Sequence, residues 1–221
     1  MGWYDRWVLP RVLDAACGTK LVAEQRAKVV GQARGVVLEP GIGSGLNLPF
    51  YNPSEVSKVI GVDPSIKLGN KARERSAAVP FPVELHFQSA ELDAVEPGSV
   101  DTVVFTYTLC TVPAPAHVLA AAHRALEPDG VLVFCEHARA PDANVRTWQH
   151  RIEPIWKQLA GGCHLTRDAA QQIRDADFTI ESLEEHYVAQ APRFAGFHQI
   201  GLARKAMARG ELGPRDDSCE L

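Results

Sequence analysis

The sequence predicts an α/β fold: a doubly wound, mostly parallel seven-stranded sheet with an antiparallel hairpin at one edge. Three observations predict it. Short apolar runs alternate with helical patterns along most of the chain, the order expected of a parallel sheet covered by helices. Two early runs end in acids, Glu39 and Asp63, where an open α/β sheet holds its ligands. Glycine recurs at every second position from Gly41 through Gly43 to Gly45, just past the first run.

Residues 4–33 carry helical patterns, interrupted near Cys17-Gly18-Thr19, so residues 1–34 are read as a helical segment over the mouth of the ligand cleft. Within it, Trp3, Tyr4 and Trp7 are candidates to close over a ligand or to pack the segment down. The first strand covers residues 36–39. Pro40 follows, and because proline lacks an N–H it fits only where the sheet needs no donor. The loop after it lets a backbone approach a ligand closely. It departs from the dinucleotide fingerprint, which needs glycine at position 46, where Leu46 stands.

A second strand spans residues 58–63 and a third residues 82–87, followed by Ser89-Ala90-Glu91. The fourth covers 100–107. A helix over 116–126 leads to Pro128-Asp129-Gly130, read as a turn into a fifth strand at 130–136. Residues 143–175 form a helical cap, with Trp148, Ile152, Ile155, Trp156 and Leu159 on one helical face. Pro154 is expected to start a new helix or kink an existing one. Another helix should begin near Thr166-Arg167-Asp168, capped by Thr166 or its neighbour. Strands at 178–183 and 197–203 complete the sheet as a hairpin. The main domain is thus residues 35–205, and the polar tail 206–221, with Gly210, Gly213 and Pro214, is expected to be mobile.

Composition narrows the function classes. A 221-residue chain with 46% hydrophobic and 23% charged residues suits one domain with a sizeable core. A net charge of −4 offers no bulk attraction for nucleic acid or anionic membrane. No apolar run is long enough to span a bilayer, and the start lacks a secretory pattern, so a cytoplasmic location is expected. None of the five cysteines forms Cys-x-x-Cys, so neither a disulfide framework nor a metal site is expected. Cys110 and Cys135 read as small buried hydrophobes.

The acid just before the first glycine points to a ligand with a positive group. Pyrophosphate carries none; S-adenosylmethionine carries an ammonium and a sulfonium. Glu39 with Gly41, Gly43 and Gly45 matches acid-x-G-x-G-x-G, and residues 36–205 resemble the class I S-adenosylmethionine-dependent methyltransferases. More narrowly they are similar to the methyltransferase-like family whose members methylate thiols. That narrower similarity rests on Thr108-Leu109-Cys110-Thr111-Val112, on Cys135-Glu136-His137 and on His198-x-x-Gly201. Its most specific part is Ile152-Glu153-Pro154-Ile155-Trp156-Lys157 followed by Gly161-Gly162-Cys163-His164-Leu165-Thr166-Arg167. Three departures stand out. Pro40 occupies a position where the class usually has an aliphatic residue, Ile42 one where this family often has cysteine, and the membrane-anchoring apolar helix that opens animal members is not seen at this chain's start.

The resemblance implies roles. Glu39 would meet the methionine ammonium of the cofactor and Asp63, ahead of Pro64, the ribose hydroxyls. Ala90 and Glu91 would lie beside the adenine. Asn47, Thr106 and Tyr107 border the same cleft; Asn47 could instead cap the turn after it. His137, His164 and His198 are the candidates to orient or deprotonate an acceptor, with Lys157 or Arg167 as electrostatic support. Trp148, Trp156 and Cys163 would line the acceptor pocket. The expected reaction is in-line methyl transfer to a small thiol or sulfide. Phospholipid amines and quinone-ring carbons are alternative acceptors on the same fold. A nicotinamide-dependent reductase is disfavoured by Leu46 and by the lack of any Tyr-x-x-x-Lys pair. A non-catalytic cofactor-binding module stays open.

Overall fold

The computed structural model describes residues 18–88 and 90–206, apart from the side chains of Ala90 and Glu91. Helix α1 (Lys20–Val30) leads into β1 (Gly35–Pro40), and a 3-10 turn at Leu48–Phe50 precedes β2 (Val56–Val62). There follow α2 (Ile66–Ser76), β3 (Val83–His86), the short α3 (Ala90–Asp93), β4 (Val100–Thr106), α4 (Pro115–Ala125) and β5 (Leu126–His137). The chain ends in α5 (Ala143–Leu159), α6 (Ala169–Asp175), β6 (Phe178–Tyr187), α7 (Arg193–Gly196) and β7 (Phe197–Lys205).

Seven strands form one sheet in the order β3-β2-β1-β4-β5-β7-β6. The pairs from β3 to β5 are parallel, whereas β7 runs antiparallel between β5 and β6. The order reverses between β1 and β4, which opens the crevice at their carboxyl ends.

Alternation along the central strands sends side chains to two cores. Leu38, Val103, Phe105, Leu132 and Phe134 pack with Leu119 of α4 and Ile173 of α6. Val37, Val104, Val133 and Cys135 pack with Val29 and Val30 of α1. Because every central residue is covered from one side or the other, these strands read as near-continuous apolar runs. Phe105 and Phe134 are partners in register and fully buried, each adding roughly 1.5–3 kcal/mol.

Some elements differ from the sequence reading. Residues 126–137 belong to a single strand, and Pro128-Asp129-Gly130 bulges out of it where Val100 pairs with Leu126 and Thr102 with Val131. Strand β6 runs on to Tyr187, because β7 offers a long partner from Phe197 to Lys205. Helix α5 continues through Pro154, so neither a new helix nor a break occurs there. The N-cap of α6 is Asp168, whose Oδ1 accepts the Gln171 N–H at 3.0 Å; Thr166 is engaged elsewhere. Trp3, Tyr4, Trp7 and residues 207–221 lie outside the described residues.

Candidate active site

The first half of the site is a buried polar knot at the ends of β1 and β4. Glu39 is only 3% exposed. Its Oε1 accepts from Asn47 Nδ2 at 2.8 Å and its Oε2 from the Tyr51 hydroxyl at 2.6 Å. Arg26, reaching in from α1, donates through Nη1 to Asn47 Oδ1 at 2.9 Å and to Thr106 Oγ1 at 2.7 Å. Asn47 also donates to Thr106 Oγ1 at 2.8 Å, so Asn47 joins the knot rather than capping the following turn with its side chain. Burial raises the Glu39 carboxyl to about 7, against the lowering effects of Tyr51, Arg26 and Asn47. The Arg26 Nε–H is buried without a partner.

The glycine loop crosses beside this knot. Gly41, Gly43 and Gly45 all have positive φ. At Gly41, φ is 76° and a Cβ would come within 2.6 Å of Thr108 Oγ1, so only glycine fits. Asp63 fastens the loop: its Oδ2 accepts the Gly43 N–H at 2.9 Å and its Oδ1 the Ser65 N–H at 2.7 Å. Burial raises the Asp63 carboxyl while these two N–H groups oppose the rise. Pro64 is exposed beside it. The side chains of Ala90 and Glu91, expected beside an adenine, lie outside the described residues.

The second half is built on the loop after β4. Tyr107 has φ of 56°, a left-handed conformation uncommon outside glycine. This twist helps turn successive backbone N–H groups toward one point, a geometry that favours an anion. The carboxylate of Glu136, fully buried, occupies that point. Its Oε1 accepts the N–H groups of Thr108 at 2.7 Å and Leu109 at 3.0 Å, and its Oε2 that of Cys110 at 3.1 Å. Burial raises the Glu136 pKa while those donors hold it down.

The segments singled out around Glu153 and Cys163 tie the cap to that loop. Glu153 accepts from Thr166 through both its N–H, at 2.9 Å, and its hydroxyl, at 2.6 Å. The other Glu153 oxygen lies 3.1 Å from His164 Nδ1. Arg167 donates to the carbonyls of Leu109 at 2.6 Å and Val112 at 2.8 Å. The result sets Cys163 Sγ at 3.5 Å from Cys110 Sγ and 3.3 Å from His137 Nδ1. The sequence predicts no metal site and marks Cys110 as a small buried hydrophobe. These three potential ligands nevertheless converge from positions 26 and 53 residues apart, separations that no local motif displays.

The histidines divide by environment. His137 stands half-buried at the end of β5, its ring 4.9 Å from that of Tyr107. His198 is buried behind it, rings 4.7 Å apart, and donates through Nδ1 to the Gly196 carbonyl, 2.9 Å away. Since a carbonyl only accepts, Nδ1 carries the proton. Burial pushes His198 down to about 3, so it is neutral. Trp156 is half-buried and meets Phe194 edge-on at 5.6 Å, whereas Trp148 is 56% exposed. The structure brings Trp156 and Cys163 toward His137 and leaves Trp148 facing solvent.

Arg26, Tyr51 and Glu136 are the site residues that sequence reasoning left without roles. Arg26 lies on an ordinary helix and Tyr51 beyond the glycine loop. Glu136 alone carried a signal, an acid ending an apolar strand like Glu39 and Asp63.

Comparison with known proteins places this geometry. Residues 18–183 match a methyltransferase domain family. A Rattus norvegicus protein, Thiol S-methyltransferase TMT1B, is 35% identical over 177 residues, covering 76% of this chain and 70% of its own. A Cereibacter sphaeroides phosphatidylethanolamine N-methyltransferase is 31% identical over 139 residues, covering 61% of this chain and 66% of its own. Among solved structures, an S-adenosylmethionine-dependent methyltransferase from Methanosarcina mazei shares the fold with a TM-score of 0.61 at 17% identity, covering 78% of this chain and 93% of its own.

Proposed function

Because this chain belongs to the class I S-adenosylmethionine-dependent methyltransferases, we propose that it methylates small thiols or sulfide. The observation that carries the acceptor assignment is the cap. The Glu153, Cys163 and Arg167 contacts hold together the segments on which the narrower resemblance rests, and they set the Cys110 and Cys163 sulfurs beside His137.

The residues at the strand ends fit the cofactor. Two buried carboxyls, Glu39 and Asp63, are both raised by burial and gain from a cationic or hydroxyl-bearing ligand. Glu39 would face the ammonium, and the unpaired Arg26 Nε–H suits a carboxylate. Asp63 would take the ribose hydroxyls, and the positive-φ glycines leave room for the chain of the ligand. Bound there, S-adenosylmethionine supplies an activated methyl that moves to the acceptor sulfur as S-adenosylhomocysteine departs.

The protein then has to hold the acceptor in line and away from water. A free thiol is only about a few per cent thiolate near neutral pH. His137 is the half-buried polar group on the wall formed by Cys110 and Cys163, and is assigned to orient the acceptor sulfur. His164, held by Glu153, and His198, neutral and buried, are assigned to shape that wall.

No helix among the described residues is long and apolar enough to cross a membrane. We take the protein to act on water-soluble thiols in the cytoplasm. The test is S-adenosylhomocysteine formation with separate acceptors: turnover with sulfide or alkyl thiols supports the reading, and turnover confined to phosphatidylethanolamine vesicles or a quinol removes it.

A further inference from the structure

We propose that Cys110, His137 and Cys163 bind a zinc ion through Sγ, Nδ1 and Sγ, with the fourth position taken by the acceptor thiolate. The role of the fourth position rests on the thiol reading above; the metal site itself does not.

Three pieces of geometry support it. All three ligand atoms lie within 4.8 Å of one another, with the two contacts to Cys163 at 3.5 and 3.3 Å. Tetrahedral zinc with Zn–S near about 2.3 Å and Zn–N near about 2.0 Å separates its ligands by roughly 3.4–3.8 Å. The two contacts to Cys163 already lie near that range, and the Cys110–His137 separation, within 4.8 Å, would close on the ion. The donor chemistry also fits: two sulfurs and an imidazole are a zinc set, and three protein ligands with one open position is the catalytic pattern.

The third piece is the support behind each ligand. Cys110 sits on the loop whose N–H groups Glu136 gathers, so its backbone is fixed. Cys163 follows α5, its segment held by the His164 N–H to the Cys110 carbonyl at 2.7 Å. His137 is the last residue of β5, paired with His198 of β7. The buried indole N–H of Trp156 has no partner within normal reach, and its neighbour is the Cys163 sulfur. A thiolate bound to metal is the acceptor such a donor lacks. Among the described residues, no further Cys, His, Asp or Glu joins this group.

The location connects the site to the cofactor cleft. Thr108, two residues before Cys110, packs on Gly41, and Tyr107 lies between Arg26 and His137, 5.0 and 4.9 Å from them. On binding, an acceptor thiol would lose its proton to solvent and donate a sulfur lone pair to the zinc; no oxidation or reduction is involved. Such a site raises the thiolate fraction without a strong base.

The experiment reads metal directly. Reduced full-length protein, loaded with zinc and desalted, should retain about one zinc per chain. Cys163→Ser and His137→Asn should each lose most of it. Cobalt-loaded wild-type protein should show the visible bands of a tetrahedral thiolate site, and methanethiol should shift them. The wild-type spectrum decides even if a variant folds poorly. Failure to retain zinc or cobalt after full reduction, or retention unchanged in both variants, overturns the site. A Cys110–Cys163 disulfide that forms readily in protein unable to hold metal overturns it too. Retained metal with no thiol turnover would spare the site and remove the thiol reading, whereas equal thiol turnover in metal-free protein would spare the thiol reading and overturn the zinc-bound acceptor.

Discussion

Glu136 and Cys110 are joined by a 3.1 Å hydrogen bond from the Cys110 N–H to the Glu136 carboxylate. With the Thr108 and Leu109 donors it makes Glu136 the anchor of the loop that follows β4. Leaving a buried donor unsatisfied costs about 1–3 kcal/mol. Glu136→Ala is therefore expected to lose about 3 kcal/mol or more of unfolding free energy, and Glu136→Gln less, since its carbonyl still accepts. Urea unfolding of both variants checks this; equal stability of Glu136→Ala and wild type would contradict the anchoring role.

Glu39 is expected to make cofactor affinity depend on pH. Its carboxyl is raised from 4.5 to about 7, foremost by burial. Because the folded value is the higher one, its contribution to stability is present below about pH 4.5 and is lost as pH rises through about 7. An ammonium ligand needs the ionised form, so affinity for S-adenosylhomocysteine should rise with pH, approaching tenfold per unit well below 7 and levelling above it. Glu39→Gln should bind more weakly and lose that slope. Calorimetry between pH 5.5 and 8.5 is the check, and a wild-type curve as flat as the variant's would count against it.

Asp63→Ala should weaken S-adenosylhomocysteine binding by roughly 1.5–3 kcal/mol, the scale of hydrogen bonds to a charged group. Part of that loss is loop order, because Asp63 also holds the Gly43 and Ser65 N–H groups. Asp63→Asn keeps one carbonyl acceptor for the loop and should recover stability better than affinity. Parallel recovery of both would assign Asp63 to loop structure alone.

Gly41 and Thr108 should be coupled. Gly41→Ala combines a positive φ, costing about 1–2 kcal/mol, with a contact of 2.6 Å to Thr108 Oγ1. Thr108→Ala removes the two closest contacts, from Oγ1 and Cγ2, and leaves the strain. A double-mutant cycle should give a favourable interaction energy above about 0.5 kcal/mol. Strict additivity would mean that the two residues do not press on each other.

Much of this architecture was legible from residue pattern. Val36 to Glu39 and Lys58 to Asp63 announce the strands and their terminal acids, because burial on both faces leaves unbroken apolar runs with polar residues only at the tips. The bulge at Pro128-Asp129-Gly130 was not legible, since strand and turn there differ only in whether β4 pairs past the interruption. Pro154 left two outcomes open, a new helix or a kink in an existing one, and only the fold shows one helix running through it from Ala143 to Leu159. The roles of Arg26 and Tyr51 were hidden for a different reason. Each is decided by which side chains the fold places opposite it, Asn47 and Thr106 for Arg26 and Glu39 for Tyr51. Cys110, His137 and Cys163 meet only once β4, β5 and the turn after α5 are assembled.

The most direct test of the account is S-adenosylhomocysteine formation by purified protein offered sulfide, methanethiol, a larger alkyl thiol, phosphatidylethanolamine vesicles and a quinol in separate reactions. The account predicts turnover with the sulfur acceptors and none with the vesicles or quinol. Tight cofactor binding with no turnover of any sulfur acceptor would contradict it.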